Sequence, residues 1–126
     1  MTNELSTFCP AYHHAVELIG RRWTGAILRA LMSDVTRFNE LAAAIPGLSD
    51  RMLAERLREL EAEGLVVREV IPASPVRVEY SLTEKGRALE AVVWAVADWA
   101  ERWQTEEQRR TVGRPPGSRG RTAGVR

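Results

Sequence analysis

The sequence predicts a mainly helical α+β domain, in which four helices precede a β-hairpin and one long helix follows it. Apolar residues recur at helical spacing between Pro10 and Glu63, which is typical of amphipathic helices. Two runs rich in β-branched residues, 65–71 and 76–82, flank a Pro-containing segment at 72–75, which indicates a short hairpin. Helices followed by a two-stranded hairpin are the layout of a winged helix-turn-helix domain.

The first two predicted helices follow one another between Pro10 and Met32. Proline is tolerated in the first turn of a helix, and Gly20 favours the end of the first one. Each helix has one apolar face, formed by Ala11, Ala15, Leu18 and Ile19 in the first and by Trp23, Ile27, Leu28 and Leu31 in the second.

The third and fourth helices are predicted over residues 37–44 and 50–63, on either side of a Pro-Gly corner. Ser and Thr side chains favour helix N-termini, and Gly favours the position after a helix. We therefore expect Thr36 to cap the third helix, Ser49 to cap the fourth and Gly64 to end it. The third helix buries a small apolar set: Phe38, Leu41 and either Ala42 or Ile45.

Beyond the hairpin, Thr83 is the predicted cap of one continuous helix of about 20 residues, roughly 30 Å long. Residues 104–126 are rich in Gly, Pro and Arg, and a segment with so little to bury is expected to be a disordered basic tail. Residues 1–9 are polar and are expected to be flexible. The predicted winged helix-turn-helix domain therefore spans residues 10–103.

Length and composition exclude several classes of protein. The 126 residues suffice for one domain. No apolar run approaches the roughly 18–20 residues that span a bilayer, and the N-terminus does not have the pattern of a secretory signal. The single cysteine, Cys9, rules out an internal disulfide framework. We expect a cytoplasmic protein with no membrane partner.

The charge is distributed unevenly along the chain. After Trp103, six arginines and two glutamates give a net charge of +4, which leaves −3 for residues 1–103 and +1 for the whole chain. Bulk charge therefore gives no argument for nucleic-acid binding, which requires only a local basic face.

The predicted helix over 50–63 has two distinct faces. At about 100° per residue, Leu53, Leu57 and Leu60 form a core stripe, opposite Arg51, Glu55, Arg58 and Ala62. The second helix of a helix-turn-helix presents its outer face to the DNA major groove. The predicted contact set is Ser49, Asp50, Arg51, Ala54, Glu55 and Arg58. Of these, Arg51 is placed to reach a guanine edge and Arg58 to reach a phosphate.

Five further residues are predicted to hold DNA phosphates around this helix. They lie near helix starts or on the hairpin: Arg22, Arg37, Asn39, Arg68 and Arg77. Helix N-termini favour anions, and a wing commonly touches the flanking minor groove or phosphates. The competing interpretation of the helix over 50–63 is a solvated face, on which Arg51 pairs with Glu55 or Glu55 pairs with Arg58.

Seven motifs follow one another in order along the chain: CP at 9–10, LIGRRWT at 18–24, ILRAL at 27–31, RFNEL at 37–41, IPGLSDRML at 45–53, RLRELEAEGLVVR at 56–68 and RVEYSLTEKGRAL at 77–89. In this order they resemble the HxlR-type winged-helix transcription regulators of bacteria, a MarR-like family. The resemblance covers residues 9–103. It implies a homodimer, joined through its first and last helices, that binds double-stranded DNA at an inverted-repeat operator. We expect this homodimer to repress transcription rather than to activate it.

Two positions depart from the family pattern. Asp50 stands where relatives often carry an amide or another polar residue, and Ala54 stands where they often carry Thr. Both changes remove a hydrogen-bond donor from the predicted DNA-contacting face. The preferred DNA sequence is therefore expected to differ from that of relatives.

Cys9 is a candidate sensor of oxidants, electrophiles or another small-molecule effector. The resemblance implies this role, because some HxlR-type proteins use a cysteine at the CP position in this way, and the reactive thiolate is favoured at the start of a helix. With one cysteine per chain, a disulfide can form only between subunits. The alternative is a residue kept for packing. Cys9, His13 and His14 could together ligate zinc, but the adjacent His13 and His14 cannot share one helix face, so we expect no metal site.

The last predicted helix carries an apolar stripe wider than one small domain needs, formed by Leu89, Val92, Val93, Val96, Trp99 and Trp103. Such a surface usually meets a partner. A symmetric homodimer is the predicted result, because its two recognition helices then address half-sites about one DNA turn apart. The alternative is a monomer whose last helix folds back over its own core.

The sequence gives no indication of catalysis or of a cofactor. It has no spacing typical of a nucleophile, base and acid, no Gly-rich phosphate loop and no paired carboxylates in a plausible cleft. The rival to DNA binding is a winged-helix module for protein–protein contact, in which Arg51 and Arg58 serve only solubility.

Overall fold

The computed structural model describes residues 7–104. Most of the predicted flexible N-terminus (1–9) and basic tail (104–126) therefore lies outside the described residues. The chain divides into two compact units, one ending at Glu90 and the other beginning at Ala91.

The first unit contains the helices and the hairpin in the predicted order. Its elements are α1 (Pro10–Ile19), α2 (Thr24–Met32), α3 (Phe38–Ala44), α4 (Asp50–Ala62), β1 (Val66–Ile71), β2 (Arg77–Leu82) and α5 (Glu84–Arg87). The two strands pair antiparallel, with Val66 opposite Leu82 and Ile71 opposite Arg77. A mainly α winged helix-turn-helix fold is thus confirmed.

The core of this unit is aliphatic and is supplied mainly by α2, α3 and α4. None of its central side chains is more than 3% exposed: Ile27, Leu28, Leu31, Leu41, Leu53, Leu57 and Leu60. Burial of each such side chain stabilises the fold by about 1.5–3 kcal/mol. The predicted face of α1 is less covered, because Leu18 and Ile19 are only half-buried.

The corner between α3 and α4 has the Pro-Gly turn and the helix cap that the sequence predicts. Gly47 has a φ of +88°, a left-handed conformation that L-residues adopt only at a cost. The hydroxyl of Ser49 then accepts a hydrogen bond from the backbone N–H of Met52 at 3.1 Å, which confirms it as the N-cap of α4.

The predicted capping of α3 by Thr36 is wrong. The N-cap position is occupied by Arg37, whose side chain makes no capping hydrogen bond. The carbonyl oxygen of Thr36 instead accepts a hydrogen bond from the N–H of Tyr80 at 2.8 Å, and Arg37 forms an antiparallel bridge with Glu79. The segment before α3 is thus held against the outer edge of β2.

The helix after the hairpin is not continuous, contrary to prediction. Thr83 caps α5 as expected, since its hydroxyl accepts from the N–H of Gly86 at 3.0 Å. The N–H of Leu89 then bonds to the carbonyl of Gly86, three residues back, at 3.0 Å. This tighter turn interrupts the α-helical pattern. Gly86 itself lies where a Cβ would collide with the carbonyl oxygen of Leu65.

The second unit contains the remaining helical segment. The helix α6 (Glu90–Trp99) starts at the last residue of the first unit and continues as a π-helical turn, Ala100–Gln104. Its apolar side chains are largely exposed, with Val96 at 61%, Trp99 at 55% and Trp103 at 58%. None of the helices between residues 7 and 104 is long and apolar enough to cross a bilayer.

Candidate nucleic-acid interface

The outer face of α4 is arranged as its periodicity predicts. Leu53, Leu57 and Leu60 are at most 1% exposed, so the opposite face points to solvent. That face carries the predicted contact set, in which Ser49, Asp50, Arg51, Glu55 and Arg58 are exposed and Ala54 is half-buried.

The arginines of this face are not neutralised by their neighbours. Ion pairs within residues 7–104 involve other arginines, and none joins Arg51 or Arg58 to Glu55. The salt bridges of the competing interpretation are therefore not formed. Each of the two guanidinium groups keeps its donors available for an external acceptor.

A third arginine of α4 has a different position and holds the helix in place. Arg56 is only 12% exposed, and its Nη1 contacts Glu59 Oε2 at 3.0 Å. Its Nε donates to the carbonyl oxygen of Arg22 at 2.9 Å. Arg21 adds a second ion pair to Glu59 Oε2, at 3.2 Å. The side of α4 is thereby joined to the segment between α1 and α2.

The sequence carries no local signal for this support. Arg56 and Glu59 stand three residues apart on one helix, where side chains are neighbours. Their partners Arg22 and Arg21 are 34 and 38 residues distant in the chain, and no local pattern points to them.

The corner between α1 and α2 also contacts the turn before α4. Trp23 has a φ of +79° at the start of α2, and its ring lies 3.4 Å from the position that a Cβ on Gly47 would occupy. Arg22, a predicted phosphate contact, places its guanidinium 5.1 Å from the centre of that ring. Arg22 therefore contacts Trp23 at this corner and remains exposed at the surface.

The other predicted phosphate contacts lie together around the hairpin. Arg37 precedes α3, Asn39 lies in its first turn, Arg68 is in β1 and Arg77 is in β2. All four line one cavity of about 730 Å³ between the start of α3 and the hairpin, which we call the wing cavity. Its other lining residues are Phe38, Glu40, Ala73, Ser74, Pro75, Val76, Val78 and Tyr80.

One carboxylate is shared inside this group. Glu79 Oε2 lies 3.2 Å from Nε of Arg77 and 3.9 Å from Nε of Arg37. Arg68 has no carboxylate within ion-pair distance in the part of the chain that the structure describes. Among residues 7–104, Arg51 and Arg58 on α4 and Arg68 on the wing are thus exposed arginines without a carboxylate partner.

Cys9 occupies the N-cap position of α1 as a free, half-buried thiol. Its carbonyl oxygen accepts a hydrogen bond from the N–H of His13 at 2.9 Å. The imidazole of His13 lies 3.5 Å from Glu17, whereas that of His14 lies 3.1 Å from Glu63. Among residues 7–104 no group of three ligating side chains is placed to hold a metal ion.

The predicted dimer-interface residues fall in both units. Leu89 is half-buried in the first unit. The others lie on α6 and its π-helical extension, where Val93 is half-buried and Val92, Val96, Trp99 and Trp103 are exposed. Ala91, Val92, Ala95, Val96 and Trp99 line an open apolar groove on this helix.

Known proteins share both the sequence pattern and the fold. A family model described as HxlR-like helix-turn-helix matches residues 18–108. The HTH-type transcriptional regulator YvaP of Bacillus subtilis (strain 168) is 48% identical over 98 residues, which cover 78% of this chain and 91% of YvaP. YodB, an HTH-type transcriptional regulator of the same organism, is 47% identical over 98 residues, covering 78% of this chain and 88% of YodB.

Solved structures agree with these relatives. The reduced form of YodB has a TM-score of 0.68 at 47% identity, covering 77% of this chain and 95% of that one. The redox regulator HypR in its oxidized form has a TM-score of 0.67 at 44% identity, covering 74% of this chain and 95% of that one. YodB is also known in diamide-treated and quinone-bound forms.

The fold and these relatives define a DNA-binding transcriptional regulator of the winged helix-turn-helix class. The chain belongs to the HxlR-like helix-turn-helix family, since the family model matches most of its length. Its relatives are transcriptional regulators, not enzymes.

Proposed function

We propose that the protein is a homodimeric repressor in the cytoplasm, which reads an inverted-repeat operator with α4 of each subunit. One observation carries this proposal. The helix α4 buries Leu53, Leu57 and Leu60 and leaves Arg51 and Arg58 exposed, with no carboxylate partner within residues 7–104. A helix that only packed on the core would not need two free guanidinium groups on its outer face.

The position of each arginine along α4 sets its role. Arg51 lies in the first turn, the part of a recognition helix that reaches base edges, and its planar guanidinium can bind guanine through two hydrogen bonds. Arg58 lies two turns later, where the helix leaves the groove, and is placed for a phosphate. Asp50 and Glu55 can accept a hydrogen bond from cytosine N4 and disfavour phosphates, which fixes the register of the helix.

The phosphate contacts on either side orient the domain. Arg37, Asn39, Arg68 and Arg77 surround the wing cavity, and Arg22 remains exposed beside Trp23. In our proposal these five residues bind the DNA backbone. They contribute affinity that depends on salt and carries no direct sequence information.

Dimerisation places two recognition helices on one operator. The apolar side chains of α6 and its extension support this step, because Val92, Val96, Trp99 and Trp103 are 41–61% exposed. We propose that a second copy of the chain covers them. Two tethered domains bind two half-sites far more tightly than one domain binds one half-site.

Cys9 is the proposed sensor of the repressor. The structural neighbours supply the reason, because HypR is described as a redox regulator and YodB has been captured in diamide-treated and quinone-bound forms. Two Cys9 thiols from two subunits would form one disulfide, passing two electrons and two protons to the oxidant. With a quinone, the Cys9 sulfur would instead add to a ring carbon, and the thiol proton would be transferred to the quinone oxygen.

Selection of binding sites from random duplex DNA, followed by a salt titration on the selected site, tests this proposal. We expect an inverted repeat and a binding constant that falls steeply with salt, since each neutralised phosphate releases about 0.9 of a counterion. A protein–protein interaction module would select no sequence and would show no such dependence.

A further inference from the structure

The wing cavity has properties that DNA phosphates alone do not require. Its volume of about 730 Å³ falls within the range of small-molecule sites in proteins, about 300–1,000 Å³. A backbone phosphate needs only an exposed cation on a convex surface. A concave space of this size between α3 and the hairpin can hold an entire small ligand.

The charges around the cavity favour an anion with a single negative charge. Arg37, Arg68 and Arg77 contribute three positive charges to its lining, and Glu40 contributes one negative charge. Glu79 compensates a further charge through its contacts with Arg37 and Arg77. One positive charge remains, and Arg68 is the group without a carboxylate partner within residues 7–104.

Apolar side chains form the rest of the wall. Phe38, Val76, Val78 and Tyr80 line the cavity, and Tyr80 is only 7% exposed. Aromatic and branched aliphatic walls with a few convergent polar groups are typical of sites for amphipathic ligands. A phosphate monoester would carry nearly two negative charges towards Glu40 and Glu79, whereas a carboxylate carries one and pairs with a guanidinium through two hydrogen bonds.

We propose that the wing cavity binds a small organic carboxylate with a hydrocarbon body, and that this ligand competes with DNA for Arg68. The carboxylate pairs with Arg68, and the hydrocarbon body lies against Phe38, Val76 and Tyr80. The competition rests on the proposed DNA-binding function, because only then do the same guanidinium groups bind phosphates. The binding of the ligand does not rest on it.

Titration of the full-length, DNA-free protein by amide NMR tests the site itself. The probe is hexanoate. Hexanol is the control that has the hydrocarbon body without the charge, and inorganic phosphate is the control that has negative charge without the hydrocarbon body. All three are titrated at constant ionic strength. We expect saturable shifts at the amides of Phe38, Arg68 and Val76 with hexanoate. Hexanol should give none there, and phosphate should bind at least about tenfold more weakly because it lacks apolar contacts.

Variants locate the charge contact. Arg68→Ala should weaken hexanoate binding about tenfold or more, the effect of losing one charge-assisted hydrogen-bonded pair. Arg87→Ala is the matched control, because Arg87 pairs with Glu90 and does not line the cavity. If the amide spectrum shows that Arg68→Ala is unfolded, Val76→Asp at the exposed loop replaces it, with the same expected loss.

Three results would overturn the proposal: no saturable shift with hexanoate, equal binding of phosphate, or equal affinity in Arg68→Ala and wild type. The competition with DNA is tested with a fluorescent operator, from which hexanoate should displace the wild-type protein and not Arg68→Ala. If hexanoate displaces neither protein, the ligand does not compete with DNA. A wild type that binds hexanoate but no DNA would refute the repressor function and leave the ligand site standing.

Discussion

Arg56 donates a hydrogen bond from Nε to the carbonyl oxygen of Arg22 at 2.9 Å, and this contact joins the middle of α4 to the corner between α1 and α2. Two residues further along the same helix, Arg58 is exposed and has no carboxylate partner within the described part of the chain. One helix thus carries an arginine that positions it and an exposed arginine that contacts DNA in our proposal.

The pair Arg56 and Arg58 gives a matched comparison of these two roles. Arg56→Ala removes hydrogen bonds of a guanidinium that is 12% exposed, and it should lower the free energy of unfolding by about 1.5–3 kcal/mol. Arg58→Ala should change that free energy by less than about 0.5 kcal/mol and weaken binding to every DNA sequence alike. Urea unfolding and DNA titration of both variants measure the difference. Equal stability of the two variants would contradict the positioning role of Arg56.

The turn between α3 and α4 should tolerate only glycine. Gly47→Ala places a Cβ at a φ of +88°, with the ring of Trp23 3.4 Å away, and should destabilise the fold by about 1–2 kcal/mol. Gly25→Ala is the control, because nothing lies within 4 Å of its Cβ position in α2. There the same change should stabilise by about 0.5–1 kcal/mol. Thermal unfolding of both variants separates the two effects, and a stabilised Gly47→Ala would be inconsistent with this reading of the turn.

Local signals predicted most of the fold and the division of α4 into a buried and an exposed face. The cap at Ser49, the leucine stripe of α4 and both strands follow from residue preference and periodicity, which act over a few neighbouring residues. One prediction failed where distant backbone took part: Thr36 could not be assigned correctly because its carbonyl accepts from the N–H of Tyr80. A second failed at a local feature: the break before α6 is a tight turn between Gly86 and Leu89, which residue preference and periodicity did not signal.

The exposed tryptophans near the end of the described chain should hold the dimer together. Each buried Trp can remove on the order of 200 Å² from water, so Trp99→Ala with Trp103→Ala should yield a monomer with unchanged helical circular dichroism. Trp94→Ala, the same change on the same helix, should remain dimeric. Truncation after Gln104 should also remain dimeric and lose only salt-sensitive DNA affinity. Sedimentation measures each outcome, and a monomeric wild type at micromolar concentration would refute the dimer.

Oxidation should act through Cys9. Diamide treatment should release operator DNA from wild type and not from Cys9→Ser, because only the wild type can form a disulfide between subunits. Non-reducing electrophoresis detects that disulfide, and added dithiothreitol should restore DNA binding. Equal release from both proteins, or release from neither, would make Cys9 a structural residue.

The most direct test of the central claim is the base preference of Arg51→Ala in a binding-site selection from random DNA. We predict that the variant loses preference at one base pair of each half-site and about 1–3 kcal/mol of affinity for the wild-type operator. Arg58→Ala, selected in parallel, should keep every preference and lose affinity uniformly. If a folded Arg51→Ala selects the wild-type sequence with wild-type affinity, α4 is not the recognition helix.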